Sequence, residues 1–430
     1  MKILVIGGGG REHAIVWALS KCRRVDKLYC SPGNAGIAEL ASCLDIKADD
    51  IKALVDFAKY EWIDYTIVGP EVPLVAGIVD EFNRDGLKII GPGQQAARLE
   101  GSKVFAKDFM KRYGIPSAKY KVFTSYIHAE EYVRIVGTPV VIKADGLAAG
   151  KGVIVAWSVD DAIEALKLIM KEKAFGHAGD RVVVEEYIEG QEASFMVFTD
   201  GEHVVPMVSA QDYKRALDGD RGPNTGGMGA YTPASVISSS MYQVVMDKVI
   251  TPVIHALRKE GILYKGILYA GLMIKDYIPY VLEFNCRLGD PEAQAVLMRL
   301  ETDLLDIMIA IHNQTLDKLD VRWRPGASMT LVVASEGYPG SFKKGLPISG
   351  LEKLKASSDL YVFHSGTDYD SNNVVTTSGR VLSVTAAGPT LNAACQMVYD
   401  NVKNIHFDGM FYRRDIGASP TNLSASCASL

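Results

Sequence analysis

The six cysteines (Cys22, Cys30, Cys43, Cys286, Cys395 and Cys427) form no CxxC pair and follow no regular spacing. That scatter excludes a disulfide framework and a zinc site, and it points to a reducing compartment. No uninterrupted apolar run reaches membrane-spanning length, so no membrane partner is expected. The opening apolar residues 2–6 are too few for a secretory signal and read as a first buried strand, which makes the cytoplasm the expected location. Charge of one sign is also missing: 46 Lys and Arg against 51 Asp and Glu leave a formal net charge of -5. No nucleic-acid partner is expected, because a backbone binder needs a basic face. The eight histidines form neither an HxxxH pair nor a Ser/His/Asp set. His13 follows a glycine run and could face a substrate, although most such histidines pack or cap. No internal repeat is visible.

What is present is an ordinary globular composition, 48% hydrophobic and 23% charged, on 430 residues. That length suggests two to four packed units. Short apolar runs at 2–6, 27–30, 65–68 and 88–90 alternate with helical spacing such as Ile51, Leu54, Val55 and Ala58. Strand-helix repetition of this kind builds a parallel, doubly wound sheet whose ligands sit at the carboxyl ends of the strands. Those ends carry Gly7-Gly8-Gly9-Gly10, Pro32-Gly33-Asn34-Ala35-Gly36, Gly69-Pro70-Glu71 and Gly91-Pro92. After Lys103 the pattern changes to mixed strands and helices. The expected division is 1–101 as the parallel α/β unit, 102–120 with 190–326 as a central catalytic unit, and 121–189 as a lid. Residues 327–417 are expected to form a terminal α+β unit, and 418–430 a disordered tail. Residues 222–229, rich in glycine, are expected to form a long loop.

Four segments carry chemistry. Gly7-x-Gly9 between strand and helix lacks the third glycine of a dinucleotide fingerprint, since position 12 is Glu, and the second strand ends without an acidic residue. NAD is therefore not expected; an anion at the helix N-terminus is, against the plainer alternative of a tight turn. The second segment, Lys143-Ala144-Asp145-Gly146-Leu147-Ala148-Ala149-Gly150-Lys151-Gly152, joins two strands and cannot be a Walker A loop. A mobile hairpin with free amides could cover a triphosphate while Lys143 neutralises it. A surface hairpin is the alternative, but a lysine ending the apolar run Val140-Val141-Ile142 calls for a partner. Third, Glu185, Glu186, Tyr187 and Ile188 leave a buried strand whose backbone could bind adenine, with Glu192 for a ribose. By itself that segment reads as a solvated acidic turn. Fourth, Glu283, Asn285 and Arg287 alternate on one strand and so share a face. Two oxygen ligands side by side suit Mg²⁺, and a guanidinium beside them could hold a transferring phosphoryl group.

In this order the four segments resemble the ATP-grasp ligases and, more closely, the glycinamide ribonucleotide synthetase family (phosphoribosylamine–glycine ligases). Further segments carry the likeness: Gln211-Asp212-Tyr213-Lys214-Arg215 and Arg413-Arg414-Asp415-Ile416-Gly417. The resemblance implies an ATP-grasp fold with an N-terminal parallel domain and a C-terminal α+β domain, and a single-function enzyme of de novo purine synthesis. It implies that ATP phosphorylates glycine and that 5-phosphoribosylamine then attacks the glycyl phosphate. Lys103, Lys143, Gly150, Lys151, Glu185, Glu186, Tyr187, Ile188 and Glu192 are then expected at ATP. Glu283 and Asn285 are expected to bind Mg²⁺ or Mn²⁺. Gly9, Asn34, Glu71, Asp212, Lys214, Arg287 and Asp290 are expected at glycine or phosphoribosylamine, with Arg287, Lys143 and Asp290 serving the chemistry. A monomer is expected, with a homodimer left open. Rival functions are an ATP-grasp ligase for bicarbonate or formate, a nicotinamide oxidoreductase, and a nucleotide-sensing module without turnover.

Overall fold

The computed structural model describes residues 1–148, 151–354 and 358–418. Most of the expected tail and Cys427 lie outside the described residues. Ile3, Leu4, Val5 and Ile6 are all fully buried because the first strand, Lys2–Gly7, is covered on both faces. It pairs in parallel with Lys27–Pro32 on one side and Tyr65–Val68 on the other. Ser42–Cys43 and Ile89–Ile90 complete a five-stranded parallel sheet. Strand order reverses beside the first strand, so a crevice opens between Gly7 and Gly69, where such sheets usually bind ligands. Helix Ile51–Tyr60 starts where the Asp50 carboxylate accepts from the Ala53 amide, and it buries Leu54, Val55 and Ala58.

The lid is an antiparallel sheet in the order Tyr120–Phe123, Val182–Glu186, Val140–Ala144, Val153–Ala156. Helices Tyr126–Val136 and Val159–Leu166 pack on it around Ile142, Val184, Ala162 and Leu166. The second of these helices starts at a capping box between Ser158 and Asp161.

A second antiparallel sheet holds Val204–Pro206, Gln191–Thr199, Gly266–Lys275 and Ile278–Asn285. Its core is continuous with that of the parallel sheet: Leu4, Leu74 and Phe82 share one apolar cluster with Phe195, Leu268 and Phe284. This shared core sets the carboxyl ends of the parallel strands against the end of strand Ile278–Asn285.

The terminal sheet combines Ala327–Ser335, Leu360–His364 and Arg380–Gly388 with two strands from far upstream, Gln211–Asp212 and Gly229–Thr232. Residues 211–212 and 229–232 were expected with the central unit, yet their backbone pairs here. The expected loop 222–229 is also partly strand: Arg221–Asn224 pairs with Arg215–Leu217 as a hairpin. Arg413 explains its position, since this buried guanidinium binds the Arg215 carbonyl, Asp220 and Asp415 together. No helix among the described residues is long and apolar enough to cross a membrane.

Candidate active site

A cleft of about 1170 Å³ separates the lid from the central sheet and runs toward the parallel domain. Its floor depends on one irregularity. Strand Ile278–Asn285 pairs Val281 with Leu272 and Glu283 with Gly271, so Leu282 is an extra, bulged residue. The bulge switches parity: Val281 and Phe284, three apart, both enter the apolar core. Leu282 and Glu283, adjacent in sequence, both line the cleft, followed by Asn285 and Arg287. Gly271 opposite Glu283 leaves it room, because an added Cβ would meet the Glu283 Cγ at 3.3 Å.

Three lysines converge on this floor. Lys143 Nζ donates to the exposed carbonyl of the bulged Leu282 at 2.9 Å and lies 3.1 Å from Glu185 Oε1. Lys103 Nζ donates to the Gly146 carbonyl at 2.8 Å, from the first turn of helix Lys103–Arg112. Lys107, one turn later, lies 2.9 Å from Glu185 Oε2. The Glu185 carboxylate, expected near adenine, is therefore buried between two lysines, on a strand paired on both sides. Glu186 pairs with Lys119, its amide donating to the Lys119 carbonyl and its carboxylate accepting the Lys119 amide. Ile188, Ala118 and Met273 form a small apolar wall with Tyr280 and Leu282, and the Tyr187 ring meets Trp157 at a tilt nearby. Lys151 does not line the cleft; its ammonium donates to the Pro339 carbonyl. Gly150 lies outside the described residues.

At the far end of the cleft Lys214 pairs with Glu192 at 3.1 Å. Burial lowers the Lys214 pKa, but Glu192, Asp212 and Glu283 outweigh it and hold the ammonium well above its ordinary value. Asp212 has the opposite balance: burial raises its carboxyl to about 8, with Lys214 opposing. Burial also raises Glu283, yet Lys214, Lys143, Lys103 and Arg287 together hold it below the usual range, so it stays ionised.

Arg287 sits among carboxylates, 2.8 Å from Glu100 and 3.2 Å from Glu71, and donates to Asn285 Oδ1 at 3.1 Å. Glu100 is the residue that sequence patterns missed. It is buried at the end of helix Gln94–Gly101, and its other oxygen accepts the Cys286 amide at 2.7 Å. Burial raises its pKa against the pull of Arg287. A glutamate following Leu99 near the end of a helix gives no local sign of such a partner. Asp290 lies 3.1 Å from Arg380 and accepts from Gln294; burial raises it, but Arg380 and Arg11 outweigh that.

The glycine rim of the parallel domain is filled from within. The Gly9 amide donates to Glu12 Oε2 at 2.6 Å, and Glu12 Oε1 accepts from Arg11 Nε at 2.6 Å. Gly7 and Gly69 are glycines for packing: an added Cβ at either would lie about 2.5 Å or less from the Glu12 side chain. Asn34 donates to the Gly8 and His364 carbonyls and accepts from the Ile37 amide, so backbone holds both of its N–H groups. His13 is buried against Tyr361 and Phe363, where its Nδ1 accepts the His364 amide; it packs.

Among the described residues no group of three or more His, Cys, Asp or Glu side chains could hold a metal alone. Glu283, ionised and without a hydrogen bond or ion pair of its own among those residues, faces the cleft beside the Asn285 oxygen. Asn285 Oδ1 accepts one hydrogen bond and keeps a second lone pair. Two hard oxygens suit Mg²⁺, which takes its remaining ligands from water and phosphate.

The lid, the central sheet and the lysine-lined cleft between them define an ATP-grasp enzyme, and the family model for the ATP-grasp (A) domain of phosphoribosylglycinamide synthetase matches residues 101–293. The N-domain and C-domain models of the same synthetase match residues 1–100 and 328–419. The chain belongs to the phosphoribosylglycinamide synthetase family. It is 49% identical to the phosphoribosylamine–glycine ligase of Caldanaerobacter subterraneus subsp. tengcongensis over 418 residues, covering 97% of this chain and 100% of the relative. The Pseudomonas aeruginosa ligase is 50% identical, with 97% of each chain covered. A crystal structure of the Thermotoga maritima ligase superposes with a TM-score of 0.83 at 33% identity, covering 97% and 100% of the two chains. The biotin carboxylase domain of Hydrogenobacter thermophilus 2-oxoglutarate carboxylase, 15% identical, shares the fold at a TM-score of 0.75 over 96% and 91%.

Proposed function

We infer that this protein ligates glycine to 5-phosphoribosylamine at the expense of ATP, giving glycinamide ribonucleotide, ADP and phosphate in purine synthesis. The observation that carries the chemistry is Glu283, an ionised carboxylate with no hydrogen bond or ion pair among the described residues, on a cleft floor otherwise ringed by Lys103, Lys143, Lys214 and Arg287. Such a floor neutralises a polyphosphate without a protein nucleophile, as phosphoryl transfer requires. A carboxylate is a poor acyl donor. Attack of the glycine carboxylate on the γ-phosphorus releases ADP and supplies a phosphate leaving group. The amine then attacks the glycyl carbonyl, phosphate departs, and one proton is released.

Lys103 and Lys143 neutralise the ATP phosphates. The backbone of Glu185, Glu186, Tyr187 and Ile188 borders the adenine, with Ile188 and Leu282 as its apolar wall, and Glu192 takes the ribose. Glu283 and Asn285 hold Mg²⁺ or Mn²⁺, which supplies charge neutralisation at the phosphates when bound. Arg287, fixed by Glu71 and Glu100, holds the transferring phosphoryl group, and Asp290 takes the glycine ammonium. Asp212, Lys214 and Glu71 serve the two acceptor substrates. In that set the Gly9 amide is held by Glu12 and the Asn34 N–H groups by backbone carbonyls, while the Lys151 ammonium rests on the Pro339 carbonyl. Lid closure excludes water from the acyl phosphate. We keep the division into four units, a cytoplasmic site of action and a monomer as parts of the same proposal.

Purified protein is expected to release phosphate from ATP only when glycine and phosphoribosylamine are both present. Phosphate release supported equally by bicarbonate or formate in place of glycine would assign the cleft to a different acid.

A further inference from the structure

Lys107 has no part in the chemistry described so far, yet it is among the most deeply buried cations in the molecule. Its side chain is 2% exposed, that of Glu185 is 2% and that of Lys143 is 6%. Two ammonium groups therefore share one carboxylate, at 2.9 Å and 3.1 Å, with almost no water. The sharing is loose: Lys107 Nζ faces Glu185 Oε2 and Lys143 Nζ faces Oε1, each at ion-pair distance without an aligned hydrogen bond. Three elements meet at this point. Lys107 comes from helix Lys103–Arg112, Glu185 and Lys143 from the lid sheet, and the Leu282 carbonyl that receives Lys143 from the central sheet.

A polyphosphate entering the cleft competes with Glu185 for Lys143. With a single cationic partner, Glu185 would lose its only neutralisation at that moment, and an unpaired buried charge is strongly destabilising. A second lysine removes the penalty. We propose that Lys107 is a positioning residue for nucleotide binding: it stays on Glu185 while the Lys143 ammonium moves from that carboxylate to the polyphosphate. Lys107 touches no reacting atom; it lets Lys143 change partners. This role presupposes that ATP is the nucleotide, but it needs neither glycine nor phosphoribosylamine.

The test is the affinity of the full chain for MgATP alone, by titration calorimetry. Lys107→Met, similar in length and uncharged, is expected to bind about 30-fold more weakly, because Glu185 then holds Lys143. The double variant Lys107→Met/Glu185→Gln removes the trap and is expected to recover most of that loss. A double variant as weak as the single one would overturn the proposal, showing that Lys107 acts by packing or by touching the nucleotide itself. The wild-type chain supplies a check that needs no variant to fold. Burial pulls Lys107 to about 8, with Glu185 and Glu186 opposing and Lys143 assisting. MgATP affinity should fall as pH rises through that value, and a flat profile between pH 7 and 9 would count against the idea. Failure of the wild-type chain to bind MgATP at any pH would instead indict the ATP assignment.

Discussion

Two glycine-rich regions of this chain invite the same expectation, and the fold treats them differently. At the rim of the parallel sheet, Gly7, Gly9 and Gly69 crowd around a helix N-terminus, and the anion they accommodate is the protein's own Glu12. In the lid, the segment after Lys143 borders an open cleft, and among the described residues Lys103 and Lys143 face that cleft with carbonyls and one shared carboxylate as partners. Glycine marks a close approach of backbone to something. Whether that something is a ligand is decided by the cations nearby and by whether an internal carboxylate has already claimed the donors.

The sharpest way to break this comparison is Glu283→Ala. Turnover should drop about a thousandfold while the circular dichroism spectrum and unfolding midpoint stay close to wild type, since Glu283 makes no hydrogen bond or ion pair among the described residues. A variant that turns over normally would remove the metal site from the open cleft. Next in size is Glu12→Gln at the filled rim. Its amide would set N–H against the Gly9 N–H and strip a charge from buried Arg11, costing about 3 kcal/mol in denaturant unfolding. MgATP affinity should not change. If stability held while phosphoribosylamine affinity collapsed, the rim would be a substrate site after all. The smallest effect belongs to Lys151→Ala. With its ammonium on the Pro339 carbonyl, losing it should move the KM for ATP by less than about threefold, as befits an exposed contact. A tenfold rise would return Lys151 to the nucleotide and widen the set of cations that the lid supplies.

Elements with strong periodicity and a cap were legible. Helix Ile51–Tyr60 begins where Asp50 accepts the Ala53 amide, and strand Tyr65–Val68 is an apolar run closed by Gly-Pro. Helix Leu304–Asn313 escaped notice because it is apolar on nearly every face, which erases the polar stripe that betrays a helix. The shared face of Glu283, Asn285 and Arg287 was legible from alternation alone. That Leu282 joins it was not, because a bulge resets alternation and is set by the partner strand. The engagement of Lys143 was anticipated from its place at the end of an apolar run; Lys107 and Glu100 were invisible, since a charged residue on an amphipathic helix looks solvated until its partner arrives from another element.

The sequence alone determined the run of sheets, the order of the chemical segments and the oxygen pair on one strand, because period-two and period-3.6 patterns and glycine turns act over a few residues. Tertiary structure decided which charges are buried together. Glu12 reaches Gly69, Glu185 reaches Lys107, and Glu100 reaches Arg287 across separations that no local pattern encodes. Coulomb energy in a dry interior depends on distance in space, and only the folded chain sets that distance.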